Sequence, residues 1–144
     1  GLPMFGYFEP CYWLDIGTIA RYLQANQDII AGKIKTAIQE KEISPGLWLG
    51  AGAQVSETAT LIPPVIIGAG AKIGAQATVA RSIIGPETMI EPEADIADSV
   101  LWEKIKVAPG ARLARCVIGG MQEIAGGSIL ADFAVEDLGY RAPK

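Results

Sequence analysis

The chain contains no histidine and only two cysteines among its 144 residues. Without imidazole, it lacks the side chain that most often acts as a general base near neutral pH and the commonest metal ligand. Cys11 and Cys116 are too few and too far apart in sequence to form a zinc site. Two cysteines also argue against a disulfide framework and for a reducing compartment, so we expect a cytoplasmic protein.

Long apolar runs and an excess of basic charge are missing as well. No stretch is long and apolar enough to span a membrane, and no signal peptide is recognisable. The 12 Lys and Arg residues are scattered and outnumbered by 16 Asp and Glu, which disfavours nucleic acid as a partner. The length predicts one domain with an appendage. Because the chain starts at Gly1 in the middle of a pattern, we expect it to be a piece of a longer protein.

The sequence is dominated by a 17-residue repeat. Three aliphatic columns keep this period over four coils, and the steps within one period are six, six and five residues. The columns are Ile67, Ile84, Leu101 and Ile118; Ile73, Ile90, Val107 and Ile124; and Val79, Ile96, Leu113 and Leu130. Such a repeat predicts three short strands per coil, stacked into a solenoid.

Small residues fill a second inward position on each side of the predicted coil. Since alternate strand residues point to opposite faces, the residue two before each column member also points inward. These residues are Ala71, Ala77, Ser82, Thr88, Ala94, Ser99, Ala111, Cys116 and Ser128, with Ile105 and Gln122 as exceptions. A looser first coil through Leu49, Val55 and Leu61 brings the total to about five coils, a stack about 20–25 Å tall.

This pattern resembles the hexapeptide-repeat left-handed parallel β-helix. The left hand is implied by the resemblance, since general rules for parallel connections favour the right hand. We therefore expect a mainly β fold, with a left-handed parallel β-helix over residues 47–134 preceded by a short strand and helix segment. Several functional classes share this fold. Hexapeptide acyltransferases use a histidine base and β-helical carbonic anhydrases bind zinc through histidine, so both are disfavoured.

Residues 1–46 follow a different pattern. Aromatic residues in the first 17 positions suggest strands that would need a partner sheet; they are Phe5, Tyr7, Phe8, Tyr12 and Trp13. A helix is predicted over residues 18–31, with Ile19, Tyr22, Leu23, Ile29 and Ile30 on one face. Thr18 can cap its start and Gly32 can end it. A polar linker, residues 33–44, then leads to the first coil.

Two stretches of the chain resemble sugar-phosphate nucleotidyltransferases, a family that includes the mannose-1-phosphate guanylyltransferases. Tyr12-Trp13-Leu14-Asp15-Ile16-Gly17-Thr18, with the helix that follows, resembles the last segment of their catalytic domain. In many members a β-helix comes next. Ser99-Val100-Leu101-Trp102-Glu103, continuing through Cys116-Val117-Ile118-Gly119, resembles the β-helix of bacterial members. Together, in this order, the resemblances cover nearly the whole chain.

The resemblance implies an enzyme that makes a nucleotide sugar and pyrophosphate from a nucleoside triphosphate and a sugar 1-phosphate, with the GDP-mannose type favoured. It assigns residues 1–46 to the end of the catalytic domain, 47–134 to the β-helix and 135–144 to a tail. In the family, the Asp of the W-x-D-x-G-T stretch helps to hold catalytic Mg²⁺, a role that falls here on Asp15. The alternative is that Asp15 caps the helix. Since the glycine-rich nucleotide loop is missing, we expect the chain alone to be inactive.

One outer side of the predicted β-helix is aliphatic over four coils. Its residues each precede a column member and so point outward; they are Ile66, Ile83, Val100 and Val117, here called the outer aliphatic stripe. The equivalent columns on the other two sides are more polar. An unbroken apolar stripe is usually covered. We expect it to contact a second subunit of a homo-oligomer or the catalytic domain of the same chain.

Trp102 stands in a turn column that otherwise holds glycine, so we expect it outside, either as a contact residue or as a shield for a coil edge. The acidic run over residues 87–98 is interpreted as solvated surface. The segment from Asp132 to Lys144, with Phe133, Leu138 and Tyr140, is expected to cover the last coil. We interpret the chain as the C-terminal part of a nucleotidyltransferase that serves assembly or regulation. A non-catalytic β-helical scaffold or regulatory subunit is the alternative, and an acyltransferase is the third choice.

Overall fold

The computed structural model describes residues 3–135, so the predicted tail lies outside the described residues except at its first residue. Within that range, a helix precedes seventeen short strands. The helix α1 spans Ile19–Ile30. The strands are β1 (Lys41–Ser44), β2 (Leu47–Leu49), β3 (Gln54–Val55), β4 (Thr60–Ile62), β5 (Val65–Ile67), β6 (Lys72–Ile73), β7 (Thr78–Ala80), β8 (Ile83–Ile84), β9 (Met89–Ile90), β10 (Asp95–Ala97), β11 (Val100–Leu101), β12 (Lys106–Val107), β13 (Arg112–Ala114), β14 (Val117–Ile118), β15 (Glu123–Ile124), β16 (Ile129–Ala131) and β17 (Ala134–Val135).

From β2 onward, the strands form three parallel sheets, one for each side of a solenoid. The sheet orders are β2-β5-β8-β11-β14-β17, with β1 added at the β2 edge; β3-β6-β9-β12-β15; and β4-β7-β10-β13-β16. Each strand thus pairs with the strand three places further along the chain, and the chain makes about five turns. The predicted fold is confirmed: the protein is a mainly β parallel solenoid with one short helix, matching the hexapeptide-repeat left-handed β-helix.

The three predicted aliphatic columns form the core. Ile96 pairs in register with Val79 in the coil before it and with Leu113 in the coil after it, so each column is a continuous stack. Column members are almost all fully buried, and Leu130 in the last coil is partly buried. Of the two exceptions among the small inward residues, Ile105 is buried too and Gln122 is partly buried. Each fully buried Val, Leu or Ile contributes about 1.5–3 kcal/mol relative to an exposed one.

Polar side chains inside the solenoid bond one coil to the next. The Ser82 hydroxyl donates to the Ala80 carbonyl at 2.7 Å and accepts from the Ser99 N–H at 3.0 Å. Ser99 repeats this one coil later, since its hydroxyl donates to Ala97 and accepts from the Cys116 N–H at 2.9 Å. Cys116 fills the next position and is fully buried, as predicted. Burial raises the pKa of its thiol, so this cysteine is a packing residue.

The corners of the coils turn at residues with positive φ. One corner column, with φ between 46° and 53°, consists of Arg81, Asp98, Arg115 and Asp132. At another corner, glycine is required by close approach: a Cβ on Gly85 would lie 2.4 Å from the carbonyl carbon of Trp102 in the next coil. The tight corners explain why turn residues repeat with the same period as the core.

The corner at Trp102 is altered in the coil that follows it. In the coils up to and including that of Trp102, the positive φ falls three residues after the inward aliphatic, at Gly70, Glu87 and Lys104. In the next coil it falls only two residues after Ile118, at Gly120. Since regular stacking at this corner leaves no room for a Cβ, we attribute the altered turn to the Trp102 side chain. The indole itself is 38% exposed, which places it outside as predicted.

Residues 3–46 differ from expectation in two places. The strands expected from the N-terminal aromatics are not found in residues 3–17, where Phe5, Tyr7 and Phe8 are at least 88% exposed. Aromatic residues favour strands only where a sheet offers a packing surface. In addition, the end of the predicted linker forms β1, which pairs antiparallel with β2. Gly46, with φ of 75°, makes the reversal possible, and β1 covers one open edge of the first coil.

The core register predicts a severe effect of Leu101→Asp. The change would bury a carboxylate between Ile84 and Ile118, so we expect the free energy of unfolding to fall by about 4 kcal/mol or more. The measurement is chemical denaturation followed by circular dichroism. Ile129→Asp makes a similar change at an outward residue that is 76% exposed, and should cost about 0.5 kcal/mol or less. Equal losses in the two variants would contradict the register.

Candidate functional site

Helix α1 packs on the outer aliphatic stripe. Leu23 forms a buried cluster with Val100 and Val117, and Tyr22, Ile83 and Ala134 pack around it. As a result, Val100 and Val117 are only 5% exposed although they point out of the β-helix, and Ile66, in the same stripe, is 8% exposed. The expected cover of the stripe is therefore supplied, within this chain, by a helix of the segment that the resemblance assigns to the catalytic domain. Contact with a second subunit stays a prediction.

The ends of α1 agree with the sequence prediction. Thr18 is the N-cap, and its hydroxyl oxygen accepts a hydrogen bond from the Arg21 N–H at 3.3 Å. At the other end, Gly32 has φ of 74°, and its N–H donates to the Ile29 carbonyl. These local signals place the helix at 19–30, within one residue of the predicted 18–31 at each end. The Gln27 side chain also donates to the Arg81 carbonyl, joining the helix to a corner of the β-helix.

Asp15 lies in the loop just before α1, and its side chain is exposed. One carboxylate oxygen accepts a hydrogen bond from the Gly17 N–H at 3.1 Å. This is a local loop contact, because Thr18 occupies the N-cap position. An exposed carboxylate fits the oxygen ligands that Mg²⁺ prefers. However, no group of three metal-ligating side chains occurs in residues 3–135, so Asp15 would be a single ligand.

Asp28 is a buried acid that the sequence analysis did not single out. Its side chain is only 8% exposed. The Tyr12 hydroxyl donates to one of its oxygens at 2.8 Å, and the Lys33 ammonium donates to the other at 2.7 Å. The hydrogen bond from Lys33, and to a smaller extent that from Tyr12, lowers the pKa of Asp28. The hydrogen bond to Asp28 raises the pKa of Tyr12. No spacing rule links the three residues, so only the tertiary structure reveals the network.

Two exposed ion pairs lie along the corner beside α1. Arg81 forms a two-point contact with Asp98, with both N–O distances 2.7 Å, and Arg115 pairs with Asp132 in the same way. An open cleft runs between this corner and the flank of α1 that carries Ile19. Exposed pairs of this kind contribute little stability.

The remaining predicted site residues lie away from the contact between α1 and the stripe. Trp102 is at a corner and is not part of the cluster beneath α1. Cys11 is exposed and free. The acidic run forms no group of three metal-ligating side chains within the described residues. Across the same part of the chain, the only helix is far too short and polar to cross a membrane.

The comparison with protein families agrees with the fold. The chain matches the family described as GlmU-like, C-terminal hexapeptide over residues 56–137. The match covers more than half of the chain, so the protein belongs to this family. Membership is consistent with the C-terminal region of a nucleotidyltransferase. A comparison with curated proteins returns no match.

The docking of α1 can be tested through Leu23→Ala. The change removes a buried side chain between α1 and the stripe, and we expect it to weaken docking by about 2–3 kcal/mol. Hydrogen exchange of backbone amides, read by mass spectrometry, should then be faster in residues 19–30 and unchanged in the coils. Gln24→Ala, an exposed change on the next residue, is the control. Equal exchange in both variants would show that Leu23 does not hold the helix.

Proposed function

We propose that the chain is the C-terminal part of a sugar-1-phosphate nucleotidyltransferase. The observation that carries the proposal is the junction: the Trp13-Leu14-Asp15-Ile16-Gly17-Thr18 stretch leads directly into a helix packed on a β-helix of the GlmU-like family. In this arrangement, the end of a catalytic domain and the β-helix share one apolar contact. If the β-helix followed an unrelated domain, there would be no reason for this stretch to precede the helix.

The proposed reaction joins a nucleoside triphosphate to a sugar 1-phosphate and releases pyrophosphate in the cytoplasm. GTP and mannose 1-phosphate are the substrates we favour, on the strength of the sequence resemblance. Mg²⁺, when bound, would offset charge on the phosphates as the sugar phosphate attacks. Asp15 would hold the ion, with further ligands from outside the described residues. In that role, the Gly17 N–H orients the Asp15 carboxylate.

The chain's own part in this enzyme is assembly and regulation. Its β-helix offers rigid outer faces, and α1 ties one of them to the loop that carries Asp15. A non-catalytic scaffold or regulatory subunit is the second candidate. It is favoured by one observation, that a β-helix of the GlmU-like family makes up most of the described chain.

Loss of the Asp15 carboxylate should separate these two candidates. In the full-length enzyme, Asp15→Asn should lower kcat at least about 100-fold, because a neutral amide is a much weaker Mg²⁺ ligand than a carboxylate. Pyrophosphate release from GTP and mannose 1-phosphate is the measurement, and the chain of residues 1–144 alone should release none. Asp95→Asn, at an exposed outward residue, should keep full activity. Wild-type turnover in Asp15→Asn would remove Asp15 from the metal site.

Assembly through the β-helix gives a separate prediction. We expect light scattering to show a homo-oligomer, most simply a dimer, that uses the stripe together with α1. Changing Ile83 and Val100 together to Lys should dissociate it, because two charges beneath α1 would displace the helix that covers the stripe. Ile129→Lys, on another side of the coil, should leave the oligomer intact. A monomeric wild-type enzyme would contradict homo-oligomerisation.

A further inference from the structure

We infer that Asp28 is a positioning residue, which fastens the loop carrying Asp15 to α1 and, through α1, to the β-helix. The inference rests on the proposed function, in which Asp15 holds the metal ion. It assigns a task to a buried acid whose side chain is hydrogen-bonded to Tyr12 and Lys33.

The first support is the burial and full pairing of Asp28. Asp28 as a whole residue is 6% exposed. Its charge must be compensated, because an unpaired buried charge is strongly destabilising. Each oxygen has its own donor, Tyr12 for one and Lys33 for the other. Lys33 remains largely exposed, with 66% of its side chain accessible. The contact that fixes distant segments together is therefore the one between Tyr12 and Asp28, which are 16 residues apart.

The second support is the position of Asp28 around the helix. At about 100° per residue, Asp28 lies about 140° away from Leu23. Leu23 faces Val100 and Val117 of the β-helix, so Asp28 faces away from it. Helix α1 is thus held between two layers, with the β-helix on one flank and the Tyr12 segment on the other.

The third support is that the Asp15 loop is anchored at both ends on this helix. Tyr12 binds Asp28 in the third turn, and Thr18 caps the first turn. Only residues 13–17 lie between these anchors. A loop this short, closed at both ends, has few conformations. The Tyr12 anchor therefore limits where the Asp15 carboxylate can lie relative to the β-helix.

Residues 3–11 show no comparable anchor. Tyr7 donates only to Glu9, two residues away, and is 88% exposed. Tyr7 and Tyr12 thus offer a matched pair, in which the same hydroxyl can be removed from an anchored and from an unanchored position.

The test removes only the Tyr12 hydroxyl, by Tyr12→Phe in the full-length enzyme. We expect the half-saturating Mg²⁺ concentration to rise about tenfold, the lower end of the range seen when residues that orient metal ligands are changed. At saturating Mg²⁺, kcat should stay within about twofold, because the ligand itself is intact. Amide hydrogen exchange should be faster in residues 12–17 and unchanged in the coils. Tyr7→Phe should alter none of these quantities.

A second variant checks that Tyr12 acts through Asp28. If the two residues form one contact, adding Asp28→Asn to Tyr12→Phe should increase the half-saturating Mg²⁺ concentration little beyond the larger single effect. If the two changes raise the half-saturating Mg²⁺ concentration independently, so that their factors multiply, the inference is overturned. An active enzyme whose Mg²⁺ dependence is unchanged by Tyr12→Phe would also overturn it, but would leave the proposed function standing. An enzyme that makes no nucleotide sugar would overturn the proposed function itself.

Discussion

The contact between one coil and the next is the interaction on which the whole structure depends. A single 17-residue coil cannot bury its three inward aliphatic residues, but a coil stacked on another buries them and completes the backbone hydrogen bonds between equivalent strands. The side-chain columns and the backbone register have the same period. Because both favour the same alignment, a slip of one residue would turn the aliphatic residues outward and the polar ones inward.

The stacked coils create flat outer faces, and one of them determines where helix α1 lies. A helix of 12 residues is marginal by itself in water. Here Leu23 gains a buried contact with the stripe, and the stripe in turn loses its exposure to water. The repeat therefore does more than form the β-helix. The outer face that carries the stripe also supplies the surface on which helix α1 is ordered.

The polar contacts around this surface differ in what they contribute. The ion pairs of Arg81 and Arg115 are exposed, and pairs of that kind contribute little to stability. Asp28 is buried, so loss of Lys33 would leave its charge without an opposite charge, and loss of the Tyr12 hydroxyl would leave one carboxylate oxygen without its donor. For this reason, the buried network holds the loop before α1 in place, whereas the exposed pairs lie along a corner and contribute little. A rigid β-helix, a docked helix and an anchored loop together suit a protein that fixes one element of a catalytic site.

The sequence by itself determined the features that are periodic or local. The columns through Ile84, Ile90 and Ile96 repeat often enough to establish the coil, and Thr18 and Gly32 carry the backbone signals that bound the helix. Only the tertiary structure decided that α1 covers the stripe, that β1 pairs with β2 and that Tyr12 meets Asp28. Each of these contacts joins segments that share no repeat, so no spacing in the sequence predicts them. They form because an apolar face, an open strand edge and a buried charge each require a partner, and folding decides which one is within reach.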